Sequence, residues 1–518
     1  SASSTSDFSR LILLDTSRQP LGKNAKSVFN NLEKEYIRIQ TSELEESRID
    51  WTSYINDGHV TLRPQKELRD HQIKALNAVK NGLKEKDRGK LIMACGTGKT
   101  FTSLRIAEDL AGAGKTVLYM VPSLALMSQT IREWKNDAID EFIAFSACSD
   151  EKVGKRNSSD DRIEVSLNDL AFPATTNSKK LSEQVKKATN SKMIVVFSTY
   201  QSIEVISKAQ SEYDLKDFDL IICDEAHRTT GATIVGEDES NFIKIHDNNQ
   251  IKGQKRIYMT ATPRIFGDLA KKKADQGEVN LATMDDENTY GKTLFYRGFG
   301  WAVENNLLTD YKVVVLMMDE QQVSNRTQNS LSDGAELKLD DVTKMVGCYK
   351  ALAKIGINNS EIEKDKTPMK SALAFCQNIK SSQMFSGEFS KVIDEYLSNE
   401  ENPDEDENTL KVELFHVDGT FNAEQRNEKL NWLKEKTDKD ICRVLTNARC
   451  LSEGVDVPAL DAIMFLHPRK SQIDVVQSVG RVMRKSENKK LGYVILPITV
   501  APDVSAEKAL NDNKRYQV

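Results

Sequence analysis

MACGTGKT, from Met93 to Thr100, is the stretch of this sequence that decides its fold. The apolar run from Lys90 to Ala94 suits a buried parallel strand, and helical spacing of apolar residues begins at Thr100. Gly96 and Gly98 let the backbone turn sharply enough to point its N–H groups at phosphate oxygens. A strand, a glycine-rich turn and a helix in this order predict a phosphate-binding loop in an α/β protein.

The residue types of this loop predict a site for a magnesium–nucleoside triphosphate. Lys99 is expected to bridge the β- and γ-phosphates, and the Thr100 hydroxyl to ligate Mg²⁺. The remaining phosphate contacts are expected from three backbone amides, those of Gly96, Thr97 and Gly98. The strict pattern has glycine where this chain has Met93, and the form with only the later glycines is typical of helicase-type motors. The alternative is a structural turn with a surface lysine.

The string CDEAH, from Cys223 to His227, predicts the acidic half of the same site. The apolar run from Phe218 to Cys223 indicates another buried strand, and open α/β sheets bind their ligands at the carboxyl ends of strands. Asp224 is expected to hold Mg²⁺, Glu225 to orient and deprotonate the attacking water, and His227 to couple the site to a neighbouring motif. Without the upstream loop, a solvated acidic turn would explain this string equally well.

Further motifs of the first half follow the order found in superfamily 2 helicases and translocases, which the sequence resembles. The resemblance implies that Gln72, in LRDHQ, contacts adenine, which favours ATP over GTP. It also implies that Thr260 and Thr262, in YMTATPR, link hydrolysis to domain movement. Contacts with a nucleic-acid backbone are expected at the ends of two strands, from Pro122, Ser123, Ser198 and Thr199.

The second half of the sequence repeats this architecture without a phosphate loop. Strands are predicted over Ala372 to Phe375 and Val412 to Phe415. The run VLTNARCLSEGVDVP resembles a motif that contacts both the nucleotide sugar and nucleic acid, through Gly454 and Asp456. The remaining nucleic-acid contacts of this half are expected from Asp418, Gly419 and Thr446.

QSVGRVMR, from Gln477 to Arg484, matches the helical pattern Q-x-x-G-R-x-x-R. Arg481 and Arg484 share one face of that helix because residues three apart are neighbours on its surface. They are expected to stabilise charge on the γ-phosphate, which contributes about 10³–10⁵ in rate in related enzymes. Gln477 is expected to act in coupling, and an exposed basic helix face is the alternative interpretation.

These motifs predict an α/β fold with two RecA-like parallel-sheet domains flanking an ATP cleft, with an N-terminal extension and helical insertions. The expected boundaries are 1–60 for the extension, 61–300 for the first domain, 301–311 for a connector, 312–500 for the second domain and 501–518 for a helical tail. The extension contains a polar, helix-like segment from Lys26 to Glu43. Insertions of unassigned role are expected at 150–192 and 319–367.

Composition restricts the protein class without identifying the function. The 518 residues carry a formal net charge of −6, which argues against a uniformly basic nucleic-acid-binding surface but leaves room for a local basic groove. The sequence has no run of eighteen apolar residues, so it indicates no membrane span, and we recognise no apolar leader in it. The seven cysteines include no CxxC pair, as expected of reduced thiols in a cytoplasmic protein without a zinc site.

A narrower resemblance concerns phrases outside the catalytic motifs, among them LLDTSRQPLGKN, VPSLALMSQTIREW, DEAHRTTG and YMTATPRIFG. Over most of residues 60–490 the chain resembles the motor of single-chain type ISP restriction–modification enzymes of bacteria, the LlaGI/LlaBIII class. The resemblance implies translocation along double-stranded DNA driven by ATP and Mg²⁺. It also implies a nuclease and a methyltransferase with target recognition in the parent polypeptide, and we find no P-D…(D/E)-x-K nuclease set or methyl-donor motif in this sequence.

Two other functions remain open at this stage. The same motifs serve strand-separating superfamily 2 helicases acting on DNA or RNA, and a separating wedge has no sequence motif. A nucleotide-gated scaffold or sensor is the other class, and the intact Glu225, Arg481 and Arg484 argue against it.

Overall fold

The computed structural model describes residues 10–16, 24, 35–45, 47–148, 174–188, 191–234, 241–276, 279–319, 339–355, 367–399, 410–421, 423–448, 450–451, 460–469, 471–486 and 489–500. These described residues fall into two compact units, the first ending at Ala302 and the second beginning at Val303. Among them, no helix is both long and apolar enough to cross a membrane.

The first unit is built on an eight-stranded parallel sheet. The strands of this unit are β1 (Arg10–Asp15), β2 (Glu35–Gln40), β3 (Arg88–Met93), β4 (Thr116–Val121), β5 (Ile143–Ala147), β6 (Ala174–Thr175), β7 (Ile194–Thr199), β8 (Phe218–Cys223), β9 (Gly231–Ile234), β10 (Gly253–Thr260), β11 (Val279–Ala282) and β12 (Lys292–Arg297). The order across the large sheet is β12-β3-β10-β8-β4-β7-β5-β6, whereas β9 and β11 form a separate antiparallel pair. The strand before the phosphate loop and the strand before Asp224 are therefore separated only by β10.

The helices of this unit include those that cover both faces of the large sheet. They are α1 (Thr41–Glu45), α2 (Trp51–Asp57), α3 (Asp70–Glu85), α4 (Lys99–Leu110), α5 (Leu124–Asp137), α6 (Ser178–Lys187), α7 (Ile203–Glu212), α8 (Asp268–Asp275), α9 (Glu287–Tyr290) and α10 (Phe299–Glu304). Strand β4 shows why both faces are needed, because Val117 and Tyr119 belong to one hydrophobic cluster while Leu118 and Met120 belong to the other. Alternate side chains of a strand point to opposite faces, so a continuous apolar run is buried only between two helical layers.

The second unit repeats the plan with a six-stranded parallel sheet of order β13-β18-β17-β14-β16-β15. Its strands are β13 (Tyr311–Asp319), β14 (Ser371–Phe375), β15 (Lys411–His416), β16 (Ile441–Asn447), β17 (Ala462–Phe465) and β18 (Gly492–Val500). Its helices are α11 (Leu339–Ala353), α12 (Ile379–Asn399), α13 (Ala423–Lys434) and α14 (Gln472–Val482). The two parallel sheets confirm the prediction of an α/β fold with two RecA-like domains.

The helix-like interpretation of the segment from Lys26 to Glu43 is wrong for Glu35–Gln40, whereas the residues from Thr41 onward are helical. Glu35–Gln40 is a strand that pairs in parallel with β1, and the buried Arg38 side chain forms an ion pair with Asp15. Ile37, Arg38 and Ile39 alternate between apolar and polar residues, which is a strand pattern. The helix-like interpretation gave more weight to the polar composition of the surrounding sequence. The predicted tail at 501–518 lies outside the described residues.

Candidate active site

The phosphate loop follows β3 and turns into α4, as the sequence predicts. Gly96 and Gly98 have φ values of +79° and +88°, in the region that glycine adopts without strain. The Thr97 hydroxyl closes the turn by donating to the Ala94 carbonyl at 2.7 Å. Lys99 and Thr100 occupy the first turn of α4, where backbone N–H groups have no helical acceptor and the helix dipole favours anions. The loop therefore has the backbone of a phosphate site.

Two neighbouring side chains at the start of α3, those of His71 and Gln72, form hydrogen bonds with carbonyl oxygens of this loop. Gln72 donates from Nε2 to the Gly98 carbonyl at 3.2 Å and accepts the Arg69 N–H at 2.9 Å. His71 Nε2 lies 2.9 Å from the Thr97 carbonyl oxygen and is buried. Each polar end of Gln72 already has one protein partner, so the predicted adenine contact has to use its remaining proton and lone pair. His71 was missed by the sequence motifs.

Asp224 and Glu225 follow β8 at the same edge of the sheet. Asp224 is 3% exposed and accepts the Glu225 N–H at Oδ1 (2.9 Å) and the Tyr119 hydroxyl at Oδ2 (3.1 Å). Burial and the neighbouring Glu225 charge raise the pKa of Asp224 to about 6. Burial alone would raise the pKa of Glu225 as well, but Lys99 and His227 lower it to well below its usual range. Glu225 is therefore ionised at neutral pH.

The buried polar atoms of this edge fit a magnesium–nucleotide. Among the described residues, buried atoms that lack a hydrogen-bond partner include Glu225 Oε2, His227 Nε2 and Thr262 Oγ1. Native proteins rarely leave such groups unsatisfied, and active sites are where the exceptions occur. Burial and the Glu225 charge raise the pKa of Asp224 despite the opposing charge of Lys99, and a bound dication would favour the ionised carboxylate further. Asp224 and the Thr100 hydroxyl are the residues that would hold Mg²⁺.

His227 and the motif at the end of β10 are joined directly. His227 Nδ1 lies 3.0 Å from Thr260 Oγ1 and 3.3 Å from Glu225 Oε2. Thr260 Oγ1 also accepts the Thr262 N–H at 3.1 Å. The structure thus brings the three predicted coupling residues of the first unit together beside the predicted base.

The predicted nucleic-acid contacts of the first unit differ in exposure. Pro122 and Ser123 are partly exposed, and the Ser123 hydroxyl caps α5 by accepting the Leu126 N–H at 3.3 Å. Ser198 is fully buried, and Thr199 is 4% exposed with its hydroxyl 2.8 Å from that of Ser202. Both hydroxyls are buried in this conformation, and their contacts with nucleic acid stay a prediction. Pro122 and Ser123 remain the better-placed pair.

In the second unit, Asp418, Gly419 and Thr446 belong to one buried polar network. His416 Nε2 lies 2.9 Å from Asp418 Oδ2, and His416 Nδ1 lies 2.7 Å from Ser382 Oγ. Ser382 in turn donates to Thr446 Oγ1 at 2.8 Å. Gly419 is buried in the turn after Asp418. The network connects the ends of β15 and β16. Ser382 and His416 belong to it, although no sequence motif indicated them.

The arginine motif lies on α14. Gln477 and Arg481 are buried, Arg484 is partly exposed just after the helix, and Gln477 Oε1 is another buried atom without a hydrogen-bond partner among the described residues. Lys489 donates to the carbonyl oxygens of Val482 and Arg484 at the end of this helix. Gly454 and Asp456 lie outside the described residues, so their roles stay predictions.

Family models match segments in each of the two units. Residues 65–265 match the model "Type III restriction enzyme, res subunit", and residues 350–486 match "Helicase conserved C-terminal domain". Residues 1–60 match "Restriction endonuclease". The expectation that this sequence contains no nuclease segment is therefore corrected. The motif search did not indicate this match, because we recognise no P-D…(D/E)-x-K set in the sequence of residues 1–60.

Comparison with solved structures gives two extensive similarities. The "ATP-dependent Type ISP restriction-modification enzyme LlaBIII bound to DNA" is 39% identical with a TM-score of 0.83, covering 99% of this chain and 33% of that one. A nuclease-deletion mutant of the type ISP enzyme LlaGI, in complex with a DNA substrate mimic, is 35% identical with a TM-score of 0.56. That similarity covers 87% of this chain and 28% of the LlaGI chain.

A curated relative extends the similarity to a virus. "Probable helicase A859L" of African swine fever virus (isolate Pig/Kenya/KEN-50/1950) is 26% identical over 436 residues, 84% of this chain and 41% of the relative. The chain thus spans less than half the length of these relatives. From its two parallel sheets, its ordered motifs and these similarities, the chain belongs to the superfamily 2 helicase-like motors of the kind found in type ISP restriction–modification enzymes.

Proposed function

We propose that this chain is an ATP-dependent motor that translocates along double-stranded DNA as part of a type ISP restriction–modification enzyme. The observation that carries the proposal is that the phosphate loop and the Asp224–Glu225 pair follow two strands of one sheet, β3 and β8, which are separated only by β10. The LlaBIII structure, 39% identical, is described as ATP-dependent and bound to DNA. ATP with Mg²⁺ is the proposed cofactor, and the cytoplasm of a bacterium the proposed location.

Within the first unit, each side chain has a definable task in hydrolysis. Glu225, ionised and with its Oε2 oxygen 3.3 Å from His227 Nδ1, accepts the proton of the attacking water. Lys99 neutralises charge on the β- and γ-phosphates, and the backbone amides of the loop hold their oxygens. Thr100 and Asp224 would hold Mg²⁺, which when bound would supply positive charge to the phosphates. His227 links the base to Thr260 and so senses whether the site is occupied.

The second unit contributes the predicted arginines. We assign Arg481 and Arg484 to stabilisation of the γ-phosphate charge and Gln477 to coupling, on the strength of the motif; Gln477 and Arg481 lie on α14 and Arg484 follows it. Gly454 and Asp456 are assigned to the nucleotide sugar, and Asp418, Gly419 and Thr446 to the nucleic-acid backbone. Conformational steps that accompany turnover would convert ATP hydrolysis into movement along DNA.

The remaining partners are parts of a longer polypeptide. The match of residues 1–60 to a restriction endonuclease model supports a nuclease adjoining the motor. A methyltransferase with target recognition is proposed from the type ISP similarity, because the chain covers only 33% of the LlaBIII chain.

The deciding experiment measures ATP hydrolysis without nucleic acid and then with single-stranded DNA, duplex DNA and duplex RNA. Displacement of a third strand from a triplex is followed in parallel, with Glu225→Gln as the inactive control. Stimulation by duplex DNA with triplex displacement and no strand separation supports the proposal. Stimulation by single strands or RNA, with strands separated, overturns it in favour of a helicase, and an absence of Mg²⁺-dependent hydrolysis overturns the motor assignment itself.

A further inference from the structure

Two buried aromatic side chains contact the two residues assigned to Mg²⁺. The Tyr119 hydroxyl donates to Asp224 Oδ2 at 3.1 Å, and the Trp134 indole Nε1–H donates to the Thr100 carbonyl at 3.1 Å. Both aromatic residues are fully buried. Neither side chain can reach solvent or substrate, so their polar atoms serve only the two ligand residues and their neighbours.

Ser103 lies between these two contacts. Its hydroxyl donates to the Thr100 carbonyl at 2.7 Å, and its oxygen lies 3.4 Å from that of Tyr119. An ionised carboxylate can only accept hydrogen bonds, so the Tyr119 hydroxyl donates to Asp224 at 3.1 Å, a shorter contact than the 3.4 Å to the Ser103 oxygen. The Thr100 carbonyl thus receives two side-chain donors, and Asp224 is held at both of its oxygens.

The two aromatic rings also pack against each other. The ring centroids of Tyr119 and Trp134 are 5.0 Å apart with an interplanar angle of 79°, an edge-to-face arrangement. Phe197 packs against both, with centroid distances of 5.6 Å and 5.7 Å. The two donors therefore belong to one packed aromatic cluster.

The chain connects these rings to the segment expected to contact nucleic acid. Strand β4 carries Tyr119 and ends at Val121, after which Pro122 and Ser123 lead into α5, which carries Trp134. Building on the proposed function, we propose that Tyr119 and Trp134 are positioning residues that hold Asp224 and Thr100 in the geometry for Mg²⁺. We assign them a second task, which is to transmit engagement of DNA at Pro122 and Ser123 to those ligands.

Conservative variants test the first task. Tyr119→Phe and Trp134→Phe remove one donor each and keep an aromatic ring in the packed cluster. Tyr290→Phe and Trp51→Phe are matched controls, because they remove a buried hydroxyl 3.1 Å from Thr229 Oγ1 and an indole donor 2.7 Å from the Leu44 carbonyl, away from the metal ligands. All variants are made in the full chain and checked by thermal melting.

Binding of Mn²⁺ to the ADP-loaded protein, followed by electron paramagnetic resonance, reports on the ligands without turnover. Loss of a hydrogen bond to a charged group should weaken Mn²⁺ binding roughly 10-fold in Tyr119→Phe, with a smaller loss in Trp134→Phe and no more than about 2-fold in the controls. Wild-type Mn²⁺ affinity in both folded test variants would overturn the positioning role.

The second task is read from the ratio of duplex-DNA-stimulated to basal ATP hydrolysis at saturating Mg²⁺. The ratio should fall in Tyr119→Phe and Trp134→Phe and stay at the wild-type value in the controls. An unchanged ratio in the test variants overturns the link to Pro122 and Ser123. Failure of the wild type to hydrolyse ATP with Mg²⁺ strikes the proposed function instead, and so the two failures are told apart.

Discussion

Glu225 has a backbone conformation that few residues other than glycine adopt. Its φ and ψ are both 47°, in the left-handed region, which costs a non-glycine residue about 1–3 kcal/mol. The surrounding bonds compensate, since Tyr200 donates to the Asp224 carbonyl at 2.8 Å and the Arg228 N–H donates to the Glu225 carbonyl at 2.9 Å. The strained turn directs the carboxylate towards His227, which a relaxed strand end would not do.

Replacing Glu225 by glutamine should separate binding from hydrolysis. Glu225→Gln keeps the shape of the side chain but removes the proton acceptor, so single-turnover hydrolysis should fall by about 10²–10⁴. A fluorescent-ATP titration should give an affinity close to that of the wild type. Glu204→Gln, which alters a carboxylate paired with Lys244 at 3.1 Å, serves as the control. Full turnover by Glu225→Gln would refute the assignment of the base.

Removal of the loop lysine should have the opposite pattern. Lys99→Ala eliminates the ammonium group that faces the phosphates, and we expect ATP affinity to drop by roughly 10- to 100-fold. The comparison is with Lys80→Ala, which removes a lysine of α3 paired with Asp109 at 2.8 Å. Equal affinities for the two variants in a fluorescent-ATP titration would show that Lys99 does not contact the nucleotide.

Gly98 offers a test of how tightly the loop is held. A Cβ at this position would lie 2.4 Å from Gln72 Nε2, and the φ of +88° disfavours any side chain. Gly98→Ala should therefore lose most nucleotide binding, whereas Gly267→Ala, where a Cβ would meet nothing within 4 Å, should retain it. Adding Gln72→Ala to Gly98→Ala removes the clash but not the backbone strain, so recovery should be partial. Complete retention of binding by Gly98→Ala would contradict the observed turn.

At the level of elements, the sequence predicts the sheet strands well because they are long apolar runs. The run from Phe218 to Cys223 is β8 itself, and Ala372 to Phe375 lies within β14. The same property hides Tyr119, since a strand buried on both faces gives no periodic sign of which side chain reaches a carboxylate. Trp134 is hidden for a related reason, because a tryptophan on the buried face of a helix looks like any core residue. The burial of Ser198 and Thr199 was likewise invisible in the motif.

A half-buried lysine contacts the end of α14. Lys489 donates to the carbonyls of Leu460, Val482 and Arg484, which anchors the helix that carries the predicted arginines. Helix carbonyls near the C-terminus have no helical donor and favour a cation. Burial nevertheless lowers the pKa of Lys489 to about 8, from an ordinary value of 10.5.

This lowered pKa predicts a specific pH dependence of stability. Between about pH 8 and 10.5 the unfolded chain keeps a proton on Lys489 that the folded chain releases, so the free energy of unfolding should rise with pH there. Lys489→Met removes this contribution. Urea unfolding at pH 7.5 and 9.5 should show the wild type gaining stability relative to Lys489→Met at the higher pH. A constant difference between the two proteins would place the ammonium in a more solvated setting.

For the whole molecule, net charge limits how DNA is gripped. A chain of charge −6 has no general attraction for a polyanion, so contact falls to main-chain amides and a local set of basic side chains. Neutral amides release few counterions when they contact phosphates, so DNA binding through them depends only weakly on salt concentration.

Salt titration of duplex binding should therefore give a shallow slope. Fewer than about five phosphates neutralised by Lys or Arg would keep the slope of log K against log salt above about −4.5. Fluorescence anisotropy of a labelled duplex between 50 and 200 mM salt covers a suitable range. A slope near −10 would instead reveal an extensive basic surface and remove the argument from net charge.

The strand order of the first sheet also bears on how the chain is made by the ribosome. Strand β3, which leads into the phosphate loop, pairs only with β10 and β12, and both are synthesised long after it. At about 5–20 residues per second, the nascent loop waits roughly ten seconds or more for its first neighbouring strand. ATP, abundant throughout that interval, meets no finished pocket on the growing polypeptide. ATP hydrolysis therefore has to await completion of the sheet that positions the phosphate loop.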